Sequence, residues 1–128
     1  MAQLRLRPTD AELAILQVLW DRGPSTVRQV FEALAGERET GYTTTLKLMQ
    51  IMAEKGLVLR DESSRTHVYE ARASRDVTQQ RLVSDLLDRA FGGSAATLVM
   101  QALSSHPTSA EELKDIERLI ADYKGKKR

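Results

Sequence analysis

The feature that most constrains this chain is its punctuation by residues that stop helices. Gly23-Pro24, Gly36, Gly56 and Gly92-Gly93 cut it into short stretches, and no stretch approaches the roughly 18 to 20 apolar residues needed to cross a bilayer. Glycine closes a helix by opening left-handed backbone, and proline ends one because it lacks an amide hydrogen. A chain cut in this way folds as several short elements that bury one face each, and 41% hydrophobic residues over 128 positions suffice for a globular core.

Between the stops, helical spacing recurs. Thr9-Asp10-Ala11-Glu12 has the form of a capping box, so a helix is predicted over residues 10–21 with Leu13, Ile15, Leu16, Leu19 and Trp20 on its apolar side. Ser25 is placed as the cap of a short second helix, striped by Val27, Val30, Phe31 and Leu34 and closed by Gly36. A third helix is expected from Thr43 to Lys55, with residues 45, 48, 49 and 52 inward and Gly56 as its stop. Leu57-Val58-Leu59-Arg60 and His67-Val68-Tyr69-Glu70 flank the turn-forming Asp61-Glu62-Ser63-Ser64, the pattern of a β-hairpin. Three helices followed by a hairpin is the order of a winged helix-turn-helix. The fold class expected is mostly α with a small β-hairpin wing.

A second module is expected beyond Ala73, which divides the chain into residues 1–73 and 74–128. Val83, Leu86, Leu87, Ala90 and Phe91 recur at helical spacing before Gly92-Gly93, Leu98, Val99 and Leu103 mark a short fifth helix, and Ser109-Ala110-Glu111-Glu112 opens a sixth with Leu113, Ile116, Leu119, Ile120 and Tyr123. About 55 residues in three single-sided helices are near the lower size limit for a self-sufficient core, so a second copy of the chain is the expected partner for these stripes. The residues expected at that dimer contact are Val83, Leu86, Leu87, Phe91, Leu98, Leu103, Leu113, Ile116 and Ile120. The alternative is packing onto the winged helix of the same chain.

The outward face of the third helix, Thr43, Thr44, Lys47, Gln50 and Ile51 with Leu46 at its boundary, has the chemistry of a major-groove reader. Hydroxyls and amides reach phosphates or base edges, lysine pairs with guanine or phosphate, and an aliphatic side chain packs on a thymine methyl. Arg65 past the hairpin turn is a wing candidate for the minor groove, and Arg28 and Arg5-Leu6-Arg7 are further candidates for phosphate. Net charge does not argue for this partner: the 19 basic and 18 acidic side chains fall ten and ten up to Ala73, then nine and eight. With no cysteine, and with His67 and His106 far apart, neither a thiolate nucleophile nor a metal site can be assembled, and no cofactor is expected. The start Met1-Ala2-Gln3-Leu4-Arg5 lacks the apolar core of a secretion signal, so a cytoplasmic protein without membrane insertion is expected.

The run Tyr42-Thr43-Thr44-Thr45-Leu46-Lys47-Leu48-Met49 followed by Glu54-Lys55-Gly56-Leu57-Val58, with Thr9-Asp10-Ala11-Glu12 and Ser25-Thr26-Val27-Arg28 upstream, resembles the penicillinase-repressor family of BlaI/MecI/CopY type. The resemblance covers nearly the whole chain. It implies a bacterial homodimeric repressor that binds a palindromic operator on double-stranded DNA, with Tyr42 opening the recognition helix, and control of antibiotic-response or β-lactamase-type genes. It also implies a membrane sensor-protease pathway that cuts the fifth helix, at the position matching Gln101-Ala102. The chain departs from the family pattern where Ile51 stands for a usual arginine, where Lys47 stands for a common threonine, and where the asparagine-phenylalanine pair of the cleavage position is absent. The C-terminal cysteines of the copper-responsive branch are absent as well, which excludes copper sensing by that route. Two other functions stay open: a winged-helix module for protein contacts, and a regulator that holds a small molecule near Met100 and Leu103. An enzyme is excluded by the lack of a nucleophile, a base and an orienting group that could be brought together.

Overall fold

The computed structural model describes residues 7–126, so Arg5 and Leu6 lie outside the described residues. The chain divides into two compact units after Val83. In the first, helix α1 (Asp10–Arg22), helix α2 (Val27–Leu34) and helix α3 (Tyr42–Lys55) precede strands β1 (Val58–Asp61) and β2 (Val68–Ala71). This is the winged-helix order. Helix α4 (Arg75–Ala90) begins in the first unit, and α5 (Ala95–Ser105) and α6 (Ala110–Lys126) belong to the second.

Local chemistry accounts for the ends of these elements. At α1 the Thr9 hydroxyl accepts from the Glu12 amide at 3.1 Å while the Glu12 carboxylate accepts from the Thr9 amide at 2.9 Å, closing the expected capping box. A second box lies one residue beyond the expected cap of α2. Thr26, not Ser25, accepts from the Gln29 amide at 3.1 Å, and Gln29 returns a bond to the Thr26 amide at 2.9 Å. Ser25 instead pairs with the hairpin: its amide donates to Tyr69 O at 2.9 Å and its carbonyl accepts from the Tyr69 amide at 2.8 Å. Helix α2 ends at Leu34, short of Gly36, where the Ala35 amide donates to Glu32 O at 3.3 Å and the Glu37 amide to Leu34 O at 3.0 Å, bonds three residues back that tighten the last turn. Gly56 ends α3 in the left-handed region at φ 84°, a backbone conformation that residues with a β-carbon rarely adopt.

The core of the first unit gathers Ile15, Leu16, Val18 and Leu19 from α1, Val27, Val30 and Leu34 from α2, Met49 and Met52 from α3, and Val58 and Tyr69 from the hairpin. Each fully buried side chain of this size contributes about 1.5 to 3 kcal/mol relative to exposure. The strands pair antiparallel with Val58 opposite Ala71 and Arg60 opposite Tyr69, so these four residues share one face of the hairpin. Among the described residues no buried side-chain polar atom lacks a hydrogen-bond partner.

The second unit is built differently. None of the residues of α5 or α6 is buried, and the one buried residue of α4, Thr78, falls in the first unit. Leu86, Leu103, Leu113 and Ile120 are exposed by 48, 39, 40 and 50%, and Leu87, Phe91, Leu98 and Ile116 are half-buried. Val83, at the end of the first unit, is also exposed. No helix among the described residues is long and apolar enough to cross a membrane.

Candidate nucleic-acid interface

The candidate interface is organised by α3, whose two faces differ in chemistry. Thr45, Met49 and Met52 are buried, with the Thr45 hydroxyl donating to the Gly41 carbonyl at 3.0 Å so that its polarity is satisfied within the helix. Tyr42, Thr43, Thr44, Lys47 and Gln50 are exposed, while Leu46 and Ile51 are half-buried at the edges of that face. The spacing of these residues follows from 3.6 residues per turn once the methionines are committed to the core. Gly41 precedes the helix in an extended conformation and supplies no side-chain cap, which leaves the first-turn amides without a capping side chain.

Arg28 joins this face from a different helix. Its guanidinium carbon lies 4.6 Å from the centroid of the Tyr42 ring and 5.8 Å from that of Phe31, and the two rings meet edge-on with centroids 5.8 Å apart. A guanidinium on an aromatic face at an exposed site gains about 0.5 to 1 kcal/mol, enough to bias the side chain toward one position. The stack therefore holds a cation at the start of α3. The sequence placed Arg28 and Tyr42 separately among the candidates; Phe31, assigned only to the apolar stripe of α2, also supports the guanidinium.

In the wing, residues 62–67 form an exposed turn with Arg65 within it. The Asp61 carboxylate accepts from the Ser63 amide at 2.9 Å, and this bond, followed by the Ser63 hydroxyl, holds its pKa below the ordinary carboxylate value. Arg60 is held in its charged form chiefly by hydrogen bonding to the Tyr69 side chain, which outweighs desolvation, with Glu62 adding attraction at 2.7 Å. Arg60 is thus committed within the hairpin, whereas Arg65 has no such pairing among the described ion pairs. Arg7 is exposed near the start of α1.

Helix α3 is braced at its far end. Lys55 in the last turn of α3 donates to the second Glu12 oxygen at 2.8 Å, and Glu12 is 2% exposed. In the second unit, Gln101 and Ala102 are both exposed on α5, where the Gln101 carbonyl accepts from the Ser105 hydroxyl at 2.6 Å. Met100 and Leu103, around which the alternative of a small-molecule regulator is centred, are exposed, and Leu103 lines an open concavity with His106, Pro107 and Leu113. Among the described residues no three histidine, aspartate or glutamate side chains cluster as metal ligands.

The penicillinase repressor family model matches residues 8–122. The transcriptional regulator BlaI of Mycobacterium tuberculosis is 41% identical over 102 residues, covering 77% of this chain and 73% of that protein. The penicillinase repressor of Bacillus licheniformis is 20% identical over 120 residues, covering 94% of each chain. The structure of reduced AbfR bound to DNA aligns with 99% of this chain and 78% of that one at 18% identity and a TM-score of 0.45. The chain belongs to the penicillinase repressor family, whose members are DNA-binding transcriptional repressors and not enzymes.

Proposed function

We propose that this chain represses transcription as a cytoplasmic homodimer that holds a palindromic operator, with residues 1–73 reading DNA and residues 74–128 joining the two copies. The observation that carries the DNA side is the outward face of α3: Thr43, Thr44, Lys47 and Gln50 are exposed together, and Arg28 is stacked on Tyr42 at their N-terminal end. The hydroxyls, the amide and Lys47 meet base edges and phosphates, Ile51 packs at the rim, Arg28 takes a phosphate, and Arg65 reaches from the wing toward the minor groove.

The dimer side is supported by the second unit, whose apolar residues Leu86, Leu103, Leu113 and Ile120 are exposed and Leu87, Phe91, Leu98 and Ile116 only half-buried in a single chain. Helices of this kind are stable only when a partner removes those stripes from water, and a twofold copy also supplies the second reading head. The genes controlled are of the antibiotic-response or β-lactamase type. Release follows from a membrane sensor-protease pathway that cuts α5 at Gln101-Ala102 and so detaches α6.

Selection of bound fragments from a random duplex library tests the reading. A palindromic consensus with half-sites separated by whole helical turns, about 10 to 10.5 base pairs each, is the expected result. A protein that enriches no sequence, while folded, overturns it.

A further inference from the structure

Arg75 and Arg28 both lie over aromatic rings of the first unit, and they differ in what else they touch. The Arg75 guanidinium carbon is 5.6 Å from the centroid of Trp20, whose indole N–H donates to the Ala73 carbonyl at 3.0 Å. Arg75 also pairs with Asp21, so its charge is answered within the fold. Arg28 lies over two rings, Tyr42 at 4.6 Å and Phe31 at 5.8 Å, and among the described ion pairs it has no carboxylate partner. Glu32 stands one turn further along α2, but with the arginine N-terminal to the acid, the less favourable order for a helical pair. No acidic residue lies in the first turn of α2 or of α3. Phe31 is half-buried while Tyr42 and Arg28 are exposed, so one ring is seated in the fold and the guanidinium stays open to solvent. A guanidinium stacked by its face keeps its N–H edge for a phosphate, whose geometry it matches.

We propose that Phe31 and Tyr42 are positioning residues that hold the Arg28 guanidinium ready for a backbone phosphate beside the bases read by α3, so that this long side chain is partly ordered before DNA arrives. This rests on the DNA reading above and involves only the first unit. A free arginine loses rotamer freedom when it closes on an anion, and one already held by rings loses less. Phosphate contacts set where a helix lies on the duplex and carry no sequence information of their own. The rings therefore act on affinity for every duplex alike, whereas Thr43, Thr44 and Gln50 act on the choice of bases.

The test measures binding of the full-length protein to a duplex with one selected half-site and to a scrambled duplex of equal length, over a series of salt concentrations. Arg28→Ala is expected to weaken both about tenfold and to lower the slope of log affinity against log salt by about 1. Phe31→Leu and Tyr42→Leu, which keep an apolar side chain, are each expected to weaken both duplexes about two- to fivefold with the slope kept, because the charge remains. Phe31→Tyr, which keeps the ring, should bind as wild type does. In an Arg28→Ala background Phe31→Leu should cause no further loss, since no guanidinium is left to hold, whereas a ring needed only for packing causes the same loss in both backgrounds. Without DNA, the ring-current shift of the Arg28 side-chain protons should fall in Phe31→Leu. Unchanged affinity and slope in Arg28→Ala, an equal Phe31→Leu loss in the two backgrounds, or an unchanged ring-current shift overturns the proposal while the DNA reading stands. Wild-type protein that binds no duplex overturns the DNA reading and the proposal with it.

Discussion

Removing either partner of the Glu12–Lys55 pair should have unequal consequences, because the two side chains differ in burial. Glu12 is 2% exposed, and its oxygens accept from the Thr9 amide at 2.9 Å and from Lys55 at 2.8 Å, whereas the Lys55 side chain is 31% exposed. In Lys55→Met the carboxylate stays buried with one oxygen unmatched, at a cost of about 3 kcal/mol, the low end for breaking a buried pair because the Thr9 amide remains. In Glu12→Gln the amide oxygen can keep the Thr9 bond, as Gln29 does for Thr26 at 2.9 Å in α2, and the lysine turns to water. That loss is about 1.5 to 2 kcal/mol, one charge-assisted hydrogen bond together with a side-chain amide N–H left in the buried site. Equilibrium urea unfolding, followed by the fluorescence of the single tryptophan, measures both at one protein concentration, since association shifts apparent stability. Lys55→Met lying within about 0.5 kcal/mol of wild type refutes the reasoning, and so does Glu12→Gln costing as much as Lys55→Met.

Thr44→Ala and Lys47→Ala should each weaken binding to the selected duplex by about 1 to 3 kcal/mol if they touch bases, without loss of folding. A Lys47 on phosphate instead lowers the slope of log affinity against log salt by about 1, and unchanged binding at matched salt removes that residue from the interface. Sedimentation should find a dimer at micromolar concentration without DNA; a monomer removes the role given to α4, α5 and α6. Immunoblots of the native cells during induction should show full-length chain giving way to a shorter product, and persistence of intact chain while target genes switch on rules out cleavage at Gln101-Ala102.

The helices and hairpin of the first unit were legible because each carries a local signal: a capping box at Thr9, a left-handed stop at Gly56, and β-rich runs on either side of a polar turn. The misplaced cap of α2 was legible too. Ser25 and Thr26 are equally good caps by residue type, but only Thr26 has a glutamine three residues later, at Gln29, while Ser25 has Arg28. Helix α4 is longer than its stripe suggested because Asp76, Gln79, Gln80 and Arg81 offer no apolar period over its first turns. On the candidate site, the polar face of α3 followed from its period. The Arg28–Tyr42 stack, the Glu12–Lys55 brace and the Trp20–Ala73 bond did not, since each joins residues from different elements and depends on how those elements pack.

The Ser25–Tyr69 bridge has a consequence for how the wing can change. Tyr69 is secured three ways: its side chain is in the core, it lies opposite Arg60 in the hairpin register, and its backbone N–H and C=O both pair with Ser25. The hairpin is therefore rooted at its base, and residues 62–67 at its tip contribute no buried side chain. Lengthening such a tip costs only about 0.6 kcal/mol per doubling of loop length. Exchange or extension of the tip thus offers a route by which a duplicated gene, or an engineer, could give the wing new groove contacts while the three-helix body keeps its stability.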